Sequence, residues 1–282
     1  SLDSSSAKAN ALPDYSSLKA VNNKGVSCKV TKFENAPALE ISGKLGTAIL
    51  APAKGGMIMS WKNSGNELVG TEIGGLCGDA FWWPRTAVAV SVILTPYKVV
   101  SQNKTASGLN VVLERKLTLD DSKALQGSVL RKTYDFNSNG TFKVTTAIIN
   151  ATKSDIRFSY RRRSTSAFMG MVNGKRGKAL LGDKVFERVF IQKLFRYAPD
   201  KEPDLEKSFR MDSVMLTKSS SVIFSAPWIK VKAEFTAEKE KLYCFVFWDS
   251  GKQKYSTFEQ IFRKTALGPG KTWSTSTNWQ VK

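Results

Sequence analysis

The stretch Gly55-Gly-Met-Ile-Met-Ser-Trp-Lys-Asn-Ser-Gly-Asn-Glu-Leu-Val-Gly70 decides how this chain is read. Two short strand-like runs, residues 57–59 and 67–69, flank the polar turn Asn63-Ser-Gly-Asn66. Gly and Asn tolerate the positive φ that hairpin turns require, so the stretch reads as a β-hairpin. Gly55 and Gly56 lead into its first strand, where a missing side chain lets another backbone approach closely. Beyond it comes Gly74-Gly-Leu-Cys-Gly-Asp-Ala-Phe-Trp-Trp-Pro84, a glycine-rich loop closing on three aromatics and a proline.

Outward from this hairpin the pattern is strand after strand. Residues 26–33, 39–42 and 46–52 alternate or carry β-branched runs on the N-terminal side. On the other side follow residues 88–94, 97–101, 110–119, 127–136 and 141–149, then 221–225, 229–235, 242–248 and 273–281. In residues 110–119, Val111, Leu113, Arg115, Leu117 and Leu119 share one face. Period-two alternation with Asn, Gly and Ser turns at intervals of about 8–12 residues indicates sandwich sheets with one wet face. Phe136-Asn-Ser-Asn-Gly140 is the clearest turn, its Asn-Gly pair suiting type I′. Residues 120–125 and 186–195 read as short helical segments, and 197–207, with two prolines among charges, as a surface loop. No β-α-β alternation or glycine-rich phosphate fingerprint is present, which argues against a nucleotide-binding α/β fold.

At 282 residues the chain can bury a substantial core, and its 41% hydrophobic content suits a folded protein. The expected organisation is a flexible N-terminal tail over residues 1–25 and one β domain over 26–282. No run approaches the roughly 18 apolar residues needed to cross a bilayer. The Ser/Ala/Asn-rich start resembles the tether behind a removed export signal, which leans toward a periplasmic or extracellular protein. Net charge is +19, which draws anionic partners without choosing among them. No helix-turn-helix, RRM or zinc-type motif supports nucleic-acid binding. Cys28, Cys77 and Cys244 lack metal-ligand spacing and read as buried thiols. Histidine is absent, which removes the commonest general base near neutral pH and the commonest zinc ligand. Neither metal nor cofactor is expected. The triplets at Asn103, Asn139 and Asn150 fit the glycosylation acceptor pattern, but a chain rich in Asn, Ser and Thr produces them by chance.

The hairpin and the aromatic loop resemble those of the aldose 1-epimerase-like, or galactose mutarotase-like, proteins, where a GG-x-I-x-S-x-x-x-x-G-x-E-L hairpin precedes a loop bordering a sugar cleft. A second match runs from Leu130 through Ile148-Ile-Asn150, a Ser/Asp turn, and Arg157-Phe-Ser-Tyr-Arg-Arg-Arg-Ser164. A third is Tyr255-Ser-Thr-Phe-Glu-Gln-Ile-Phe and the turn Leu267-Gly-Pro-Gly270. The matches span most of residues 25–280. The resemblance implies an antiparallel β-supersandwich with a carbohydrate-facing groove. It also implies that Glu259 stands where the family has its catalytic base. The family's second strand carries a histidine that protonates the sugar ring oxygen; here that strand carries arginines.

The groove that the resemblance implies would be lined by Trp82, Trp83 and Arg85, by Arg161, Arg162 and Arg163, and by Glu259, with Asp79 available to sugar hydroxyls. Arg cannot transfer protons near neutral pH, since its pKa lies above about 12, but it binds a carboxylate or sulfate in a bidentate fork. On a strand Arg161 and Arg163 point one way and Arg162 the other. The plain alternative is a solvated basic turn. Glu259 can act as a base if burial raises its pKa, or it can simply pair with Arg263 or one of Arg161, Arg162 and Arg163. Phe81, Trp82 and Trp83 present flat faces to pyranose rings, although tryptophans in a sandwich, Trp61, Trp228, Trp248, Trp273 and Trp279 included, mostly fill the core. The function expected is recognition of a carbohydrate, with the positive charge favouring an acidic glycan. The rival is a sugar epimerase using Glu259 as base.

Overall fold

The structure is a computed structural model and describes residues 11–70, 74–84, 93–168, 171–181, 184–186, 202, 204, 214–216, 220–248 and 256–282. Every named element among them is a strand, and every pairing is antiparallel. The chain begins with β1 (Val21–Asn23), β2 (Val26–Phe33), β3 (Ala36–Gly43), β4 (Gly46–Ala51), β5 (Met57–Asn63) and β6 (Asn66–Glu67), a six-stranded meander in sequence order. It continues through β7 (Gly78–Trp83), β8 (Lys98–Lys104), β9 (Gly108–Lys116), β10 (Val129–Asn137), β11 (Phe142–Ile149) and β12 (Ile156–Ser166). Then come β13 (Met171–Val172), β14 (Lys175–Arg176), β15 (Lys178–Leu181), β16 (Lys184–Phe186), β17 (Val214–Leu216) and β18 (Ser221–Ala226). The last five are β19 (Ile229–Ala237), β20 (Leu242–Trp248), β21 (Ser256–Phe262), β22 (Thr265–Leu267) and β23 (Thr272–Val281).

A nine-stranded sheet, ordered β16-β15-β18-β19-β23-β11-β10-β9-β8, forms the centre of the sandwich. Alternation explains its core face: Leu130, Lys132, Tyr134 and Phe136 of β10 point inward, and Phe142, Val144, Thr146 and Ile148 of β11 meet them. The meander packs on this face through Trp61, whose ring meets Phe142 at 5.3 Å and Trp279 at 6.0 Å, edge to face. A third sheet, ordered β17-β20-β21-β12-β22 with β7 paired to β12, covers the rest. Of its inner aromatics, Phe258 stacks on Phe235 of β19 and Phe245 meets the same ring edge to face. Edge-to-face and offset pairs of this kind add about 0.5–1.5 kcal/mol each beyond burial. No helix among the described residues is long and apolar enough to cross a membrane.

The decisive hairpin forms as read, with Asn63 paired to Asn66 and Ser64 and Gly65 both at positive φ, the signature of a type I′ turn. Gly55 is required for close approach, because a Cβ there would stand 1.7 Å from the Ile93 carbonyl oxygen. Three expectations change. The turn after Phe136 is a three-residue loop, in which Gly140 (φ 90°) bonds back to the Asn137 carbonyl while the Asn137 N–H reaches Thr141. That is a type I turn closed by a bulge, the alternative open to Gly in the left-handed region. Residues 120–125 are turns and not a helix, because the Asp121 carboxylate accepts from the Thr118 N–H (2.7 Å) and hydroxyl and pairs with buried Arg115. Leu119 falls past the end of β9 and is 56% exposed, so it leaves the buried stripe.

Residues 11–25, read from the sequence as part of a tail, lie against the body: β1 pairs with β2, and the buried Tyr15 hydroxyl donates to the Tyr97 carbonyl at 2.6 Å. Residues 88–92 and most of 186–195 and 197–207 lie outside the described residues.

Candidate functional site

Strand β12 carries the site because its two faces do different work. Tyr160 and Arg162 point inward, Arg161 and Arg163 outward, as strand alternation requires.

Inward lies a buried charge cluster. Asp79, 3% exposed, accepts from the Tyr97 hydroxyl at 2.6 Å and the Thr146 hydroxyl at 2.8 Å, and also from Tyr160. The Lys132 ammonium stands 3.2 Å from its carboxylate and donates as well to the Gly55 and Cys77 carbonyls. Arg162, 1% exposed, donates to the Thr277 hydroxyl (2.6 Å), the Thr146 hydroxyl (3.1 Å) and the Thr275 carbonyl (3.2 Å), bonding β12 to both β11 and β23 across the sandwich. Burial opposes ionisation of Asp79, yet Lys132, Arg162 and the two phenols outweigh it and hold its carboxyl below the usual range. Burial depresses the Lys132 ammonium more than Asp79 restores it, and burial pushes the Cys77 thiol up to about 11.

Outward, Arg163 faces Glu259 of β21 directly, and Gly78 of β7 lies on its other side. The Glu259 carboxylate stands 3.5 Å from Arg161 Nη1 and 3.6 Å from Arg163 Nε. All three side chains are 11–13% exposed. Both distances exceed the roughly 2.7–2.9 Å of a charge-assisted hydrogen bond. The Nε of each arginine is buried and meets no acceptor among the described residues. Burial lowers the Arg163 pKa against the pull of Glu259. Cys244 and Val246 of β20 share this side through their pairing with Ile261 and Glu259. Burial, then the Glu259 charge, raise the Cys244 thiol well above its ordinary value.

The aromatics of β7 separate at a bulge. Phe81 pairs with Tyr160 and Trp83 with Ser159, which leaves Trp82 as the extra residue. Phe81 packs on Phe158 and Tyr160 in the core, and Trp82 is buried. Trp83 pairs on the Ser159 side of β12, the side of Arg161 and Arg163, and is half-buried. Its indole N–H meets no acceptor among the described residues.

The residues named from the sequence therefore divide. Arg161, Arg163 and Glu259 come together, with Trp83 along the same strand pair. Asp79 and Arg162, expected in the groove, lie in the core because their strands present them to the nine-stranded sheet, and Trp82 is buried as well. Arg85 lies outside the described residues. The plain reading of Glu259 as an arginine partner holds, through Arg161 and Arg163 and not Arg263, which lies over the Tyr243 ring. Asn150 is fully buried, its amide donating to the Ser154 and Leu267 carbonyls, which excludes glycosylation there. Lys132, Tyr97 and Tyr160 were missed. Lys132 had a signal in the sequence, a lone cation on the apolar side of Leu130, Tyr134 and Phe136.

No family model matches the sequence, and no curated protein matches it. Solved structures do. The chain is similar to a galactose mutarotase-like protein from Clostridium acetobutylicum at TM-score 0.68 and 12% identity, covering 92% of this chain and 99% of that one. The chain has the galactose mutarotase-like fold. A candidate aldose 1-epimerase from Klebsiella pneumoniae matches at TM-score 0.62 and 11% identity over 93% of this chain and 86% of its own. A galactose mutarotase-like protein from Lactobacillus casei matches at 0.56 and 12%, over 90% of this chain and all of its own. What identities this low establish is the mutarotase-like sandwich itself.

Proposed function

We propose that this protein recognises a carbohydrate, with a preference for acidic sugars or glycans, beside Arg161, Arg163 and Glu259 on the face of β12 and β21 turned away from the nine-stranded sheet. The observation that carries the reading is the loose Arg161–Glu259–Arg163 triad: three largely buried charges with hydrogen-bonding capacity left over. Sugar hydroxyls both donate and accept, so a neighbouring carboxylate and guanidinium can hold two of them at once. Trp83, paired to Ser159 along the strand from Arg161 and packed in part against the core, leaves its exposed remainder for an apolar contact. The surplus of positive charge in the triad and the net +19 of the chain support an acidic ligand.

A glycan array at physiological salt, with wild type beside Arg161→Met and Arg163→Met, tests the reading. Acidic glycans bound by wild type and lost in both variants are the expected result. Binding indifferent to both substitutions moves the site elsewhere, and binding indifferent to salt argues for a neutral sugar.

The fold favours a second reading, epimerisation of an aldose with Glu259 as base. Opening a pyranose also needs an acid on the ring oxygen, and the chain holds no histidine for it. Polarimetric mutarotation that depends on Glu259 would establish this activity.

A further inference from the structure

The outer triad does not cancel its own charge. Arg161 and Arg163 bring two positive charges against the single negative charge of Glu259, and no other carboxylate pairs with either arginine among the described residues. The cross-strand neighbours across β7 are Ala80 and Gly78, which carry no polar side chain and lie against Met57 and Ile93. Largely buried charge left unbalanced in this way is costly unless a ligand completes it. The capacity to complete it is directional. The Nε of Arg161 and of Arg163 lack acceptors, and they belong to side chains two residues apart on one face of β12, about 7 Å from Cα to Cα. Glu259 already stands between these guanidiniums, but at 3.5 and 3.6 Å it is too far to saturate them.

We infer that the Arg161–Arg163 seat takes a sugar bearing one singly charged group, a carboxylate or a sulfate ester, and that Glu259 is the specificity-determining residue that limits the charge it accepts. This rests on the carbohydrate reading above and names its ligand class. A singly charged group neutralises the triad. A phosphomonoester, carrying about −1.5 to −2 at neutral pH, overshoots it and leaves negative charge against Glu259. Glu259 is thus a built-in competitor of the ligand's anionic group. It yields its loose contacts to that group and keeps its oxygens for a hydroxyl.

The experiment is calorimetric titration of wild type and Glu259→Gln with four probes on one sugar scaffold: glucose, glucuronate, glucose 6-sulfate and glucose 6-phosphate, repeated with the galactose series. For wild type the singly charged probes bind best, and comparison of glucuronate with the sulfate separates the two sources of charge. In Glu259→Gln their affinity rises about tenfold, the scale expected for removing one unit charge a few ångström away in a partly screened site. The phosphate gains more than either, because the seat then carries two positive charges. If Glu259→Gln weakens the singly charged probes, the charge of Glu259 helps to hold the ligand and does not compete with its anionic group, and the inference fails while the carbohydrate reading stands. Wild-type preference for the neutral sugar or for the phosphate has the same consequence. Absence of binding to every probe by wild type, with the arrayed glycans also unbound, removes the carbohydrate reading itself. Should Glu259→Gln fail to fold, the wild-type ranking of neutral, singly and doubly charged probes still decides the question.

Discussion

Replacing Asp79 by Asn tests the buried cluster with almost no change of volume. Among the described residues the carboxylate is the only anion paired with Lys132, at 3.2 Å, and it accepts hydrogen bonds from Tyr97, Tyr160 and Thr146. An amide keeps one acceptor and aims two N–H groups at donors that already point inward. Removing one partner from a buried pair costs about 3–5 kcal/mol, because the other charge is left uncompensated. For a chain of this size that lowers Tm by roughly 6–20 °C, at about 2–4 °C per kcal/mol. The pH dependence sharpens the test. Asp79 has a depressed folded pKa, so the stability it contributes is present above the unfolded value of about 3.9 and lost as pH falls through the lower folded value. Lys132 is also depressed, so its buried charge costs stability at neutral pH, and that cost is relieved as pH rises from its folded pKa toward the unfolded value of about 10.4. Without Asp79 the Lys132 pKa falls further. The difference in stability between wild type and Asp79→Asn therefore narrows between pH 7 and pH 10, measured by urea unfolding at each pH. A loss below about 1 kcal/mol at pH 7 would refute the claim that Asp79 neutralises a buried cation.

Gly55→Ala forces a Cβ to within 1.7 Å of the Ile93 carbonyl at a backbone φ of +64°, so the backbone must move; a loss above about 2 kcal/mol in urea unfolding is expected. The native protein leaves Cys28, Cys77 and Cys244 unreactive toward a disulfide reagent at pH 7, since all are buried and burial pushes the first two thiols to about 11 and the third well above its ordinary value; full reactivity appears only in denaturant. Trp83→Ala lowers affinity for any bound sugar about three- to tenfold in the calorimetric titration while leaving Tm within a few degrees, whereas Trp61→Ala, at the centre of the core, costs about 3–5 kcal/mol of stability.

The strands were legible because period-two alternation survives in the sequence wherever one face is buried, as in Leu130, Tyr134 and Phe136 or Phe142, Val144 and Ile148. Turn type was less so: Asn139-Gly140 suits two geometries, and the choice depends on the pairing of Phe136 with Phe142, which is set by the whole sheet. The site was half legible. Alternation alone placed Arg161 and Arg163 on one face and Arg162 on the other. The apolar run Ile156, Phe158 and Tyr160 on the Arg162 side marks that face as the buried one, but the partners that admit a cation there come from other strands. The bulge at Trp82 was invisible for a related reason, because it exists only in the mismatch between β7 and β12.

The inward face of β12 bears on how the site is kept. Ile156, Phe158 and Tyr160 give it a buried apolar stripe that sets register, since a slip of one residue moves every side chain to the opposite face. In β12 such a slip would turn Arg161 and Arg163 toward Lys132 and the threonines of β11 and β23, with Asp79 the only anion to meet them. Arg162 makes that arrangement unfavourable, because its guanidinium is matched in place to the Thr277 hydroxyl, the Thr146 hydroxyl and the Thr275 carbonyl. Tyr160, bonded to Asp79, repeats the match one step along the same face. The buried cluster thus reinforces what the apolar stripe of Ile156, Phe158 and Tyr160 does for β12. It fixes which arginines face outward, and through them the distance from Arg163 to Glu259 on which the proposed site depends.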